Sequence, residues 1–337
     1  MKICLITPAP PGTRLGNRHT AVRWAAMLRQ RGHRVRVRVT WDGRPADLML
    51  ALHARRSADS IARFHAAYPQ QPLILALTGT DIYRDIQFDA SAQHSLALAT
   101  RIIVLQDQGV AALAPQWHGK IRVVYQSAAS QPRRASLQRA FEVCVVGHLR
   151  PEKDPFRAVA ALHQLPATAR ILLHQFGQAL DSDMAAQAQH WTQVEPRYRW
   201  LGDRPHGAVM RTLARAALMV ISSHMEGGAN VICEAVAVGT PVIASRIAGN
   251  IGMLGVDYAG YYAVGDAAAL AALMQRVTTD AAWLAQLTAQ CAARRALFLP
   301  AAEATALAAV IEETQHLTEE KYHEKMAVDL CTQSAGA

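Results

Sequence analysis

Short apolar runs alternate with longer stretches in which apolar residues recur every three to four positions, the change of period expected of βα units and hence of parallel sheets. In the first half this pattern predicts strands at Ile3–Thr7, Val35–Val39, Leu48–Leu52, Leu73–Leu77, Ile102–Leu105 and Ile121–Tyr125, with helices at His19–Arg31 and Ala58–Ala67. Over residues 126–139 it breaks into Ser, Gln, Pro and Arg, which reads as a link between domains. It resumes with strands at Phe141–Gly147, Ile171–Gln175, Tyr198–Leu201, Leu218–Ser222 and Val242–Ala244, and with helices at Pro155–Gln164, before Trp191 and over Ala229–Val238. Alanine-rich amphipathic helices follow from Ala267 to about Glu313, and the polar end beyond them is expected to fray. The expectation is an α/β chain of two facing Rossmann-like domains with parallel sheets and a C-terminal helical segment. Its parts are a first domain over 1–128, a linker over 129–140, a second domain over 141–300, a helix over 301–315 returning to the first domain, and a polar tail over 316–337. Open α/β sheets bind ligands beyond the carboxyl ends of their strands, so the active site is expected between the halves.

Composition narrows the function classes. A length of 337 residues suits two domains, and 51% hydrophobic with 18% charged residues supplies buried cores and excludes a disordered chain. No apolar run approaches the roughly 18 to 20 residues of a membrane helix, and Met1-Lys2 leads directly into a strand, so no membrane association and a cytoplasmic location are expected. The five cysteines are scattered without a CxxC pair, which encodes neither a disulfide framework nor a thiolate zinc site. Net charge is +9, and only five of the 35 basic residues are lysine. Arginine suits phosphate and carboxylate recognition, although an Ala/Arg-rich base composition explains the total equally well. Nucleic-acid binding is disfavoured, because aromatic residues are 6% and no basic run exceeds two residues. The 14 histidines form no HExxH, and Asp181-Ser-Asp183 reads as a helix cap, so no metal site is expected.

The window Glu226-Gly-Gly-Ala-Asn-Val-Ile-Cys-Glu234 carries the most chemistry. With a helix starting near Ala229, Glu226 lies in the preceding loop and Glu234 in the second turn. Gly227 and Gly228 let backbone amides approach an anion at the helix N-terminus, where a diphosphate fits, while ionised carboxylates accept hydrogen bonds from sugar hydroxyls. In the first half, three loops follow strands: 8–18, containing Gly16, Asn17 and Arg18; 51–56, containing His53, Arg55 and Arg56; and 78–85, containing Thr78, Thr80, Asp81 and Arg84. As a set at strand ends they favour an anionic acceptor.

The Glu-x7-Glu window with its Gly239-Thr-Pro-Val242 continuation resembles the retaining sugar-nucleotide glycosyltransferases of family 4, which have the GT-B fold. The resemblance extends to Val145-Val-Gly-His-Leu-Arg-Pro-Glu-Lys153, similar to the family's Gly-Arg-Leu-x-x-x-Lys, and to Leu77-Thr-Gly-Thr-Asp81, similar to its His-Gly-Thr-Asp loop. It implies that Lys153 neutralises the diphosphate, with His148 standing at the family's arginine and Arg150 two residues on. It further implies donor contacts from Glu226, Gly227, Gly228, Ala229, Asn230 and Glu234. Gly16–Trp24, Trp41-Asp-Gly43, Ala51–Ser57, Leu77–Asp85 and Gln126-Ser-Ala128 together look like the selenosugar synthases of selenoneine biosynthesis. That likeness implies an enzyme, and the lack of a metal-binding constellation makes it a metal-independent one without cofactor. It would join selenophosphate to the anomeric carbon of a UDP-sugar, UDP-glucose or UDP-N-acetylglucosamine, with release of UDP and phosphate. Glu226, Asp81 and Arg18 are then the catalytic candidates, and Gly16, Asn17, Arg18, His53, Arg55, Arg56, Thr78, Thr80 and Asp81 the acceptor site. The competing readings are a family 4 enzyme acting on a hydroxyl or thiol, a UDP-sugar epimerase and, least, a nucleic-acid-binding protein.

Overall fold

A computed structural model describes residues 1–135 and 140–334, with side chains through 320. The chain forms two compact units, one of Met1–Tyr125 with Ala301–Ala337 and the other of Gln126–Pro300. The first unit holds a six-stranded parallel sheet of β1 (Lys2–Ile6), β2 (Arg34–Arg38), β3 (Leu48–Leu52), β4 (Leu73–Ala76), β5 (Arg101–Val104) and β6 (Ile121–Val123) in the order β2-β1-β3-β4-β5-β6. β3 and β4 are buried at every position, as parallel strands covered on both faces require. Their alternate side chains feed two apolar layers. One gathers Met49, Ala51, Leu73 and Leu75 with Phe64 and Trp41; the other gathers Leu48, Leu50, Leu52 and Ile74 with Trp24 and Leu28 of the helix Gly16–Gln30.

The second unit holds β7 (Phe141–Val146), β8 (Ile171–Phe176), β9 (Tyr198–Trp200), β10 (Leu218–Ile221), β11 (Val242–Ser245) and β12 (Tyr261–Tyr262), all parallel, in the order β12-β11-β10-β7-β8-β9. Each strand expected from the apolar pattern is present within one or two residues of its expected bounds.

Three expectations change. The stretch expected as a polar tail over 316–337 is helical as far as Ser334, within one helix, Pro300–Ser334. Its side chains Leu307, Val310 and Ile311 enter the first unit's core beside Trp24 and Leu50. Buried Glu303 accepts from Arg23 at 2.8 and 3.1 Å and from the Trp24 indole at 2.7 Å. The expected linker, 129–140, includes 136–139, which lie outside the described residues, but its first part is bound to the second unit. Arg133 donates to Thr240 Oγ1 at 2.6 Å and to Ala216 O at 2.7 Å, and Arg134 N donates to Ala214 O at 2.9 Å. Finally, the loop after β4 is a π-helical turn, Asp81–Asp85, running into the helix Ala90–Leu98, for which the sequence has no amphipathic signal. Among the described residues no helix is long and apolar enough to cross a membrane.

Candidate functional site

In the second sheet the strand order reverses between β7 and β10, so the connections leaving these two strands part to opposite faces and open a crevice at their carboxyl ends. The residues that resemble glycosyltransferase motifs leave those two ends. After β7 the chain reaches a single 3₁₀ turn, Pro151–Lys153, closed by Asp154 in the left-handed region (φ 44°). After β10 it runs through Ser222–Gly228 into the helix Asn230–Val238, which Gly239 ends at φ 77°. Ser222 Oγ donates to the Asp154 carbonyl at 2.8 Å and so joins the two loops.

At this junction the Lys153 ammonium donates to Glu226 Oε1, and Ser223 Oγ donates to the same oxygen at 2.5 Å. Glu226 is only 7% exposed, so the pair is held in a medium less screening than water. Behind it lies a buried polar chain that no motif announced. Asn250 donates to Ser245 O at 2.9 Å and to Ser245 Oγ at 3.1 Å, and Ser245 Oγ donates to the Ser223 carbonyl at 2.6 Å. Gly249 allows this packing: a Cβ there would stand 2.1 Å from the Glu226 carbonyl oxygen. Gly177 does the same under β7, where a Cβ would lie 1.9 Å from the Gly147 oxygen.

The remaining donor-side candidates are placed as follows. Ala229 and Gly227 are buried at the helix start, with Gly228 and Asn230 half-buried beside them. Arg150 precedes the Lys153 turn and is half-buried. His148 departs from a purely ligand-facing role, because its Nδ1 accepts from Gln178 N at 3.2 Å. Glu234, in the helix's second turn, is not open either: its Oε1 accepts from His206 Nε2 at 2.9 Å. That hydrogen bond and the Glu234 charge push the His206 pKa up. His206 was missed in the sequence because 28 residues and a strand separate it from Glu234.

In the first unit the order reverses between β1 and β3, and the acceptor-side candidates leave those strands and β4. Gly16, Asn17 and Arg18 open the helix after β1, and no partner meets the half-buried Arg18 guanidinium among the described residues. After β3, His53 is 2% exposed with φ 76°, an unusual backbone state for a residue with a side chain. Its Nδ1 lies 3.3 Å from Arg56 N, and its Nε2 lies 3.1 Å from Thr80 Oγ1. Burial pushes the His53 pKa down, with Arg56 and Arg55 acting in the same direction against Asp81 and Asp85.

Asp81 needs a correction. Expected as a catalytic carboxylate, it is fully buried and serves the backbone: Oδ1 accepts from Thr78 N at 2.9 Å and Gly79 N at 2.8 Å, and Oδ2 accepts from Ala54 N at 3.0 Å. It ties the loop after β3 to the loop after β4. Arg55 is likewise engaged, by Asp85 at 2.9 Å, and Arg84 reaches the same carboxylate at 3.2 Å. Burial works to raise the Asp85 carboxyl, but the two arginine hydrogen bonds outweigh it and hold the group below the usual range. Asp85 therefore offsets part of the positive charge expected for this loop, whereas the exposed Arg56 guanidinium has no partner among the described residues. Exposure of Asp85 could not be judged from sequence, since it depends on where the π-helical turn points.

Residues 129–294 match the family described as Glycosyl transferases group 1. The glycogen synthase of Mycobacterium tuberculosis is 30% identical over 213 residues, 61% of this chain, and the chain spans 49% of that relative's length. Among solved structures, Anabaena HepE, determined in complex with UDP and glucose, is 18% identical with a TM-score of 0.72 over 93% of this chain and 100% of HepE. Sucrose-phosphate synthase of Thermosynechococcus elongatus is 18% identical with a TM-score of 0.76, over 94% and 99%. Such low identities speak to the fold. With its two six-stranded parallel sheets, the chain has the GT-B fold, and its residues 129–294 are similar to the group 1 glycosyltransferases.

Proposed function

We propose that the protein is a glycosyltransferase that takes a UDP-sugar as donor and selenophosphate as acceptor, forming a 1-seleno-sugar. The observation that carries the donor half is the Lys153–Glu226 pair at the β7/β10 reversal, beside the start of the helix Asn230–Val238. Lys153 and the helix N-terminus neutralise charge growing on the departing UDP. Ser223 and Lys153 both hold Glu226 Oε1, which leaves Oε2 to accept from a sugar hydroxyl. HepE has been solved with UDP-glucose, which supports the same donor class here. Glu234 would take the ribose after exchanging His206 for it.

On the acceptor side the reading rests on the motif resemblance and on what the local groups leave unused. Asp81 spends its oxygens on backbone amides, and burial lowers the His53 pKa, with both its ring nitrogens at hydrogen-bonding distance from neighbours. Neither is arranged to take a proton from an alcohol, and an acceptor that arrives as an anion needs no such base. Arg18 and Arg56 would hold its phosphate. Selenium attacks the anomeric carbon as the bond to UDP breaks, and water then cleaves the P–Se bond to release phosphate.

Mass spectrometry of the protein with UDP-glucose or UDP-N-acetylglucosamine plus selenophosphate tests this: the expected products are UDP, phosphate and the 1-seleno-sugar. Transfer only to alcohols or thiols would move the assignment to a conventional family 4 reaction, and sugar interconversion without acceptor would make it an epimerase. We further expect turnover to survive EDTA; its abolition would overturn metal independence.

A further inference from the structure

The three groups that meet behind β3 and β4 point to a more specific device. Arg56 N can only donate, so the His53 nitrogen 3.3 Å away, Nδ1, must supply a lone pair. A neutral imidazole accepting at Nδ1 carries its proton on Nε2, and that nitrogen lies 3.1 Å from Thr80 Oγ1. The threonine oxygen thus accepts from His53, and its own proton turns away from the ring. No acceptor for that proton occurs among the described residues, although Thr80 is half-buried. The arrangement is held from several sides. His53 N continues the sheet by donating to Ala76 O at 2.8 Å, and Asp81 bridges Ala54, Thr78 and Gly79 on either side of the pair. His53 holds this place with a positive φ of 76°. Arg56 stands at the same loop with its guanidinium unpartnered among the described residues.

We propose that Thr80 is a substrate-contacting hydrogen-bond donor, set by the Nε2–H tautomer of His53, and that it donates to an anionic oxygen of the phosphate group of the acceptor. His53 is then a positioning residue. This rests on the acceptor half of the proposed function and adds to it the atom that reads the phosphate.

The test combines three measurements on the full chain. In 15N NMR, the His53 ring should show an unprotonated Nδ1 and a protonated Nε2; the opposite tautomer would overturn the inference. Next, inorganic phosphate is titrated into UDP-loaded protein. Thr80→Val should weaken its binding roughly ten- to a hundredfold, the usual size of a lost hydrogen bond to a charged group, while Thr80→Ser keeps it. In turnover, Thr80→Val should raise KM for selenophosphate by a similar factor with KM for the UDP-sugar unchanged, and Thr80→Ser should restore it. Equal phosphate binding by wild type and Thr80→Val would sink the idea. So would a Thr80→Ser variant that folds and binds UDP but behaves like Thr80→Val. If wild type binds phosphate through Thr80 yet makes no seleno-sugar, the inference stands and the selenophosphate reading fails; turnover insensitive to Thr80→Val gives the converse.

Discussion

At the residue scale the proposed donor site depends on where one carboxylate is held. Lys153 and Ser223 converge on Glu226 Oε1, and Gly249 leaves room for its backbone. Replacing Lys153 by Met removes the cation proposed to face the leaving diphosphate, and on that reading kcat/KM should fall by about 10² to 10³, the range measured when a preorganised electrostatic contact is lost. The same variant should bind UDP more weakly in calorimetry; unaltered affinity would place the diphosphate elsewhere. Gly249→Ala tests position without touching charge. Its Cβ, 2.1 Å from the Glu226 oxygen, forces the backbone apart, so kcat/KM should drop several-fold or more and Tm should fall with it.

At the element scale, two contacts knit strands and helices that are distant in sequence. Fully buried Glu142 on β7 accepts from His174 on β8 at 2.7 Å and from Arg215, ahead of β10, through two bonds of 2.6 Å. Burial alone would raise its pKa, but Arg215 and His174 hold it down at about 2 against an ordinary 4.5. A carboxyl lowered on folding stabilises the native state above its unfolded value, and that contribution disappears as pH falls from about 4.5 toward 2. On the order of 3 kcal/mol is involved. Urea midpoints measured from pH 6 to pH 3 should therefore decline, and Glu142→Gln should start lower and decline less. The second contact is the return of the helix Pro300–Ser334 to the first unit. Leu307 is fully buried there, and Leu307→Ala should cost roughly 2–5 kcal/mol, read as a lowered Tm.

At the scale of the whole molecule, the chain leaves its first unit at Tyr125 and re-enters it at Ala301, so the second unit is inserted between two parts of the first. Stability of the first unit consequently depends on residues that follow the second unit in the chain. A ligand that binds only the folded second unit adds stability by mass action, about 2.7 kcal/mol at a hundred times its Kd. UDP should accordingly raise the melting transition of the second unit by several degrees, and the Lys153→Met variant should show a smaller rise at equal concentration. A shift of the same size in both would separate UDP binding from Lys153.

Local patterning was enough to determined the strands, because a buried parallel strand must be apolar along its whole length. Leu48–Leu52 is legible for that reason, and so is the loop-then-helix layout of the Glu226–Glu234 window, since Gly-Gly followed by an apolar period is a local signal. Hydrogen-bond partners are set by which distant segments approach each other, and no local period encodes that approach. Asp81 read as a catalytic candidate, but folding brings Ala54 N to it; Glu234 read as a donor contact, but His206 reaches it; and the Asn250–Ser245–Ser223 chain had no signature at all. The far end of the final helix was illegible for a related reason: polar residues there carry no apolar period, and their helical state continues from the Leu307–Ile311 segment that the first unit's core holds in place.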